Sequence, residues 1–168
     1  MEITMRFFKL LDELGLSQKD ASEMFAITLE EFNHWRHQNS VPFPVQQQLN
    51  CLNLLINSSV NKWIKYAKWH SNFGNRVMLG IPSYSNMDDY HACDQDLSKE
   101  LLFLPLYGAF TKRLIESLEK VNINAKAMLI DFEAYYAWLE KYDFDNCPSA
   151  RIVYASLKLS KKIHARKH

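Results

Sequence analysis

Three groups of side chains in this 168-residue chain are of types that could do chemistry. His91-Ala92-Cys93 sets an imidazole near a thiol, the pair that a cysteine nucleophile with a general base requires. Residues two apart on a helix point in different directions and no third group is spaced to orient the histidine, so no catalytic site and no enzyme activity is expected. Asp88, Asp89, Asp94 and Asp96 could offer oxygens to a cation, but the run lacks the glycine and terminal glutamate of a calcium loop. It reads as a solvated loop. Cys51, Cys93 and Cys147 have no CxxC spacing, so no metal is expected. Four glycines leave little room for a phosphate-cradling loop, and no cofactor is expected. The third group is cationic. Lys62, Lys65 and Lys68 alternate with Trp63, Tyr66, Trp69 and His70, and steps of three put the lysines on one helix face. That face could track phosphates, although an amphipathic helix with core aromatics and solvated lysines is the favoured reading. Residues 158–168 carry Lys158, Lys161, Lys162, Arg166 and Lys167 without an acid, as either a phosphate-binding arm or a disordered basic end.

The elements that would position such groups centre on residues 14–35, LGLSQKDASEMFAITLEEFNHW. Ser17 and Thr28 are good N-caps for two short helices, since a hydroxyl can accept from an unpaired amide of the first turn. Ala21, Met24 and Phe25 share one face, Phe32 and Trp35 another, and Ile27 plugs the corner between them. Ala21 and Ser22 are small enough for close approach.

This stretch resembles the helix-turn-helix of the Cro and phage-repressor superfamily, from Gln18 through Ser22, Phe25 and Ile27 to Phe32 and Trp35. A departure is Ala26, where the family usually has a left-handed glycine; alanine there costs roughly 1 to 2 kcal/mol. The resemblance implies that the second helix enters the major groove with Thr28, Leu29, Glu30, Asn33 and His34 toward base edges. Asn33 can pair with adenine, Glu30 can accept from cytosine and Leu29 can pack on a thymine methyl. Gln18 would meet a phosphate at a helix start, with Lys19, Lys62, Lys65 and Lys68 as further phosphate contacts and Arg36 and His37 reaching the backbone.

Composition bounds these expectations. The chain is 48% hydrophobic and 13% aromatic, enough to fold, and its formal net charge of +1 gives no general affinity for polyanions. Residues 1–60 are less favourable still: Arg6, Lys9, Lys19 and Arg36 against Glu2, Asp12, Glu13, Asp20, Glu23, Glu30 and Glu31 gives −3. Affinity would then come from the lysine face or the basic end. Odd, widely spaced cysteines fit reduced thiols, no signal peptide is evident, and no apolar run nears the roughly 20 residues of a membrane span. A cytoplasmic protein with no membrane partner is expected.

In chain order the periodicity predicts helices at 5–14, 45–56 and 60–73 around the helix-turn-helix, a strand at 76–82, the acidic loop, and a helix at 101–121. A second strand at 125–130, a helix at 132–142 capped by Asp131, and a last helix from Pro148 complete it. The expected fold is α+β, mostly α: a helix-turn-helix bundle of four to five helices at 1–57, then a small α+β dimerisation domain at 58–168. Residues 132–139 and 150–157, an aromatic helix followed by one with an early Arg151 and a later Ser156-Leu157, are similar to the C-terminal segment of the anti-CRISPR-associated transcriptional repressors. That resemblance implies a homodimer on an inverted-repeat operator. One reading helix covers only a few base pairs, which argues for a dimer independently. The function expected is a DNA-binding transcriptional regulator, most simply a repressor, with a protein-interaction or antitoxin-like module as the alternative.

Overall fold

Local turn chemistry divides the N-terminal half. In the computed structural model, which describes residues 2–72 and 78–167, α1 (Glu2–Leu14) stops at Gly15, whose φ of 68° strains no side chain. Two short helices follow, α2 (Gln18–Met24) and α3 (Leu29–Gln38). Next, α4 (Phe43–Asn72) runs for 30 residues without a break. The sequence predicts two helices there, separated at Asn57-Ser58-Ser59. That run is polar but holds no glycine or proline, so nothing breaks the helix, and the Ser59 hydroxyl is satisfied within it by the Leu55 carbonyl at 3.0 Å. The expected boundary between residues 57 and 58 therefore falls inside α4, and Phe73 lies outside the described residues.

The C-terminal half is a parallel strand pair wrapped by helices. β1 (Leu79–Ser83) covers the later part of the expected strand, whose Arg76 and Val77 lie outside the described residues. Then comes a correction. The acidic stretch is not a solvated loop but contains α5 (Met87–Cys93), because Asn86 accepts the Asp89 amide at 2.8 Å and Asp88 and Asp89 suit the positive end of the helix. α6 (Leu97–Glu100) is a single turn, and α7 (Leu104–Glu119) leads to β2 (Ala125–Leu129). α8 (Phe132–Tyr142) starts at its Asp131 cap and α9 (Pro148–Ala165) at Pro148, both as the sequence predicts. The basic segment through Ala165 is thus helical. The fold is α+β and mostly α. No helix among the described residues is long and apolar enough to cross a membrane.

The strands pair in register from Leu79 opposite Ala125 to Ser83 opposite Leu129. Gly80 and Pro82 turn their main-chain groups away from β2. Gly80 donates its amide to the Ser156 hydroxyl at 2.9 Å, while Pro82 has no amide and its carbonyl accepts from Tyr107 at 2.7 Å. That edge of β1 is closed by α9 and α7 rather than by another strand. Any Cβ at residue 80 would stand 2.4 Å from the Ala155 carbonyl carbon, so only glycine fits.

One contiguous core joins the halves, from Phe7, Leu11 and Phe32 through Trp63, Ile81 and Phe110 to Ile152 and Ala155. Arg113 of α7 also donates to the side-chain oxygens of Asn53 and Asn57 on α4, and Lys112 to the Glu13 carbonyl at 3.4 Å. Deep in the C-terminal part lies Arg151, only 2% exposed. Its guanidinium pairs with the fully buried Asp94 at 3.3 Å and donates to the Cys93 carbonyl and the Asn146 side chain, each at 2.8 Å. Burial pushes the Asp94 carboxyl up from its ordinary value while Arg151 pulls it down.

Candidate nucleic-acid interface

Both helices of the expected reading unit begin with a reciprocal cap. Ser17 Oγ accepts the Asp20 amide at 3.1 Å while the Asp20 carboxylate accepts the Ser17 amide at 2.8 Å. Thr28 Oγ1 accepts the Glu31 amide at 3.1 Å, and Glu31 accepts the Thr28 amide at 2.8 Å. The hydroxyl caps are legible from residue type alone; the returning acids are signalled by the Ser-x-x-Asp and Thr-x-x-Glu spacing, which the N-cap reading of Ser17 and Thr28 does not use. Hydrogen bonds from the Thr28 backbone and then its side chain hold the Glu31 carboxyl below its ordinary 4.5. Glu31 thus serves the helix start, and so does the Thr28 hydroxyl.

Between the helices, Ala26 takes the left-handed conformation with φ 52°, and Ile27 donates its amide to the Ser22 carbonyl at 3.0 Å. The alanine adopts the geometry expected of a glycine. Small Ala21 and Ser22 are the buried residues of α2. Phe32 is 2% exposed and meets the Phe8 ring edge-on at 5.6 Å, while Phe25 packs on Phe7. With Phe32 turned inward, the helical repeat turns Glu30, Asn33 and His34 outward, while Leu29, on the flank of Phe32, is exposed as the first residue of α3. Leu29 is a large apolar side chain left 52% exposed, in the position expected to meet a thymine methyl.

Gln18 is half-buried at the start of α2 and donates from Nε2 to Asn33 Oδ1 at 2.8 Å. The bond fixes the orientation of the Asn33 amide and leaves its two Nδ2 hydrogens to donate outward. Lys19 is exposed beside Glu23 at 4.0 Å. Arg36 is exposed too, and its guanidinium lies over the Phe8 and Phe32 rings at 5.3 and 5.8 Å, so its stem covers the core edge. His37 is exposed one residue on.

The structure joins Gln18 to Asn33 and places Thr28, Leu29, Glu30, Asn33 and His34 along the start and first turns of α3, while the lysine face belongs to a different helix. Lys62, Lys65 and Lys68 are exposed on the distal half of α4. Lys62 stands about 30 Å along the axis from Phe43, at 1.5 Å per residue. Trp63 between them is buried against Phe110, and Tyr66 and Trp69 are 41% and 55% exposed. Acids temper the field of the first 60 residues. Asp20 and Glu31 fold back on helix starts, Glu13 lies 3.8 Å from Lys9, and Glu30 stands on the outer face of α3. Elsewhere, Cys93 is fully buried and its thiol is pushed up to about 12, chiefly by that burial, which opposes thiolate formation.

A scan of the chain against protein-family models finds no match, and a search of curated proteins finds none.

Proposed function

We propose that the chain is a sequence-specific DNA-binding transcriptional regulator, acting as a cytoplasmic homodimeric repressor on an inverted-repeat operator. The observation that carries this reading is the outer surface of α3. Glu30, Asn33 and His34 are exposed away from the Phe32 anchor, Leu29 is exposed at the helix start beside them, and Gln18 braces Asn33. Such a surface offers a methyl contact, a carboxylate acceptor for cytosine and an oriented amide for adenine. Capping boxes at both helix starts and the left-handed Ala26 make the unit stiff enough to hold that pattern in register.

A second reading is favoured by charge. The −3 of residues 1–60 repels a polyanion, which suits a protein-interaction module of the antitoxin-like kind in which the helix pair binds no DNA. One experiment separates the two. A regulator retards a fragment from upstream of its own gene, with affinity falling steeply as salt rises. Absence of any shift at low salt rejects the regulator and favours the interaction module.

A further inference from the structure

The chain leaves large apolar groups in the open on one face of α8 and α9. Tyr142 is 53% exposed, Phe144 52% and Leu157 42%. Phe144 is presented by a rigid turn: Asp143 is left-handed at φ 55°, and the Phe144 amide donates to the Leu139 carbonyl at 2.9 Å. Its ring rests 5.2 Å from that of Trp138. Phe144 also separates two grooves. One is lined by Trp138, Tyr142, Leu157, Lys158 and Lys161, an aromatic floor with a basic rim. The other is lined by Tyr136, Glu133, Glu140 and Asp145, with an acidic rim.

A patch that carries opposite charges on its two sides, with an aromatic ridge between, is complementary to itself under a two-fold rotation. We propose that this face receives a second copy of the chain, about an axis beside Phe144, so that the basic groove of each copy meets the acidic rim of the other. Phe144 is the central anchor, as exposed aromatics at the middle of an interface are. Lys158 lies on the basic rim, its Nζ donating to the Leu129 carbonyl at 3.0 Å, and Lys161 beside it is exposed. The inference rests on the homodimer of the regulator reading and assigns its surface.

Sedimentation of the full chain at micromolar concentration, without DNA, tests it. A dimer is expected, weakened about tenfold or more by Phe144→Ala and by Lys161→Glu. Mixing Lys161→Glu with Glu140→Lys should restore association, because the mixed pair regains attraction at both contacts. Both positions are exposed, and circular dichroism verifies that each variant is folded. A monomeric parent chain, or a dimer indifferent to both Phe144→Ala and Lys161→Glu, overturns the assignment. Since no DNA is present, the two readings fail separately: a dimer with these sensitivities that retards no promoter fragment removes the regulator and leaves this interface standing.

Discussion

Gln18 and Asn33, one at the start of α2 and the other on the outer face of α3, are joined by a 2.8 Å hydrogen bond across 15 positions of sequence. The two helices of the reading unit therefore share a polar contact at the surface that would face DNA, in addition to their apolar packing. Replacing Asn33 by alanine should cost about 1 to 3 kcal/mol of discrimination at one operator position. Gln18→Ala should weaken the same position and show non-additivity with Asn33→Ala in a double-mutant cycle. Competition between operator variants measures both, and unchanged preference in Asn33→Ala would remove it from the readers.

Ala26 occupies left-handed backbone that suits glycine. Ala26→Gly relieves the contact between Cβ and carbonyl at the cost of some added freedom in the unfolded chain. The net expectation is a gain of about 1 kcal/mol. Denaturant titration should show a higher midpoint with the same slope.

Acid should loosen the start of α3. The Glu31 carboxyl is held below its ordinary 4.5 in the folded chain. A depressed carboxyl stabilises the fold fully above its unfolded value and loses that contribution as pH falls through the lower folded value. Stability measured by denaturant titration should therefore decline on acidification, and Glu31→Gln should flatten that part of the profile. A profile identical in the variant would show that the capping box does not control it.

Arg151 and Asp94 are both withdrawn from water, at 2% and 0% exposure. Removing one partner strands the other charge, so Arg151→Met should destabilise by about 3 to 5 kcal/mol. Combining it with Asp94→Leu should recover most of that loss. Equilibrium unfolding of the single and double variants decides, and a double variant no better than the single would show that the polar contacts to Cys93 and Asn146 matter more.

Local rules made much of the fold legible. Ser17, Thr28, Asp131 and Pro148 mark helix starts through chemistry confined to one turn, and the apolar spacing of 14–35 specifies which side of α3 turns inward. Where the reading fails, polarity stands in wrongly for structure. Asn57-Ser58-Ser59 lacks a true helix breaker and remains inside α4, and the acids after Asn86 begin a helix instead of a loop. Asp94 reads as solvated because its partner, Arg151, lies 57 positions away. The brace between Gln18 and Asn33 is hidden for the same reason, since no local periodicity relates them. The lysines of α4 are exposed together as their spacing predicts, but that they ride on one 30-residue helix with residues 43–56 depends on its continuity.

The seal on β1 has a bearing on how the chain is made. Gly80 finds its acceptor, Ser156, 76 positions later. During synthesis, a strand edge with an unpaired amide has to wait until almost the whole of the C-terminal half has left the ribosome before α9 can dock. Contacts this distant in sequence form late, and bare strand edges recruit other chains in the interval. Slow translation after β1 should lengthen that exposure, because the partner of the Gly80 amide lies on α9.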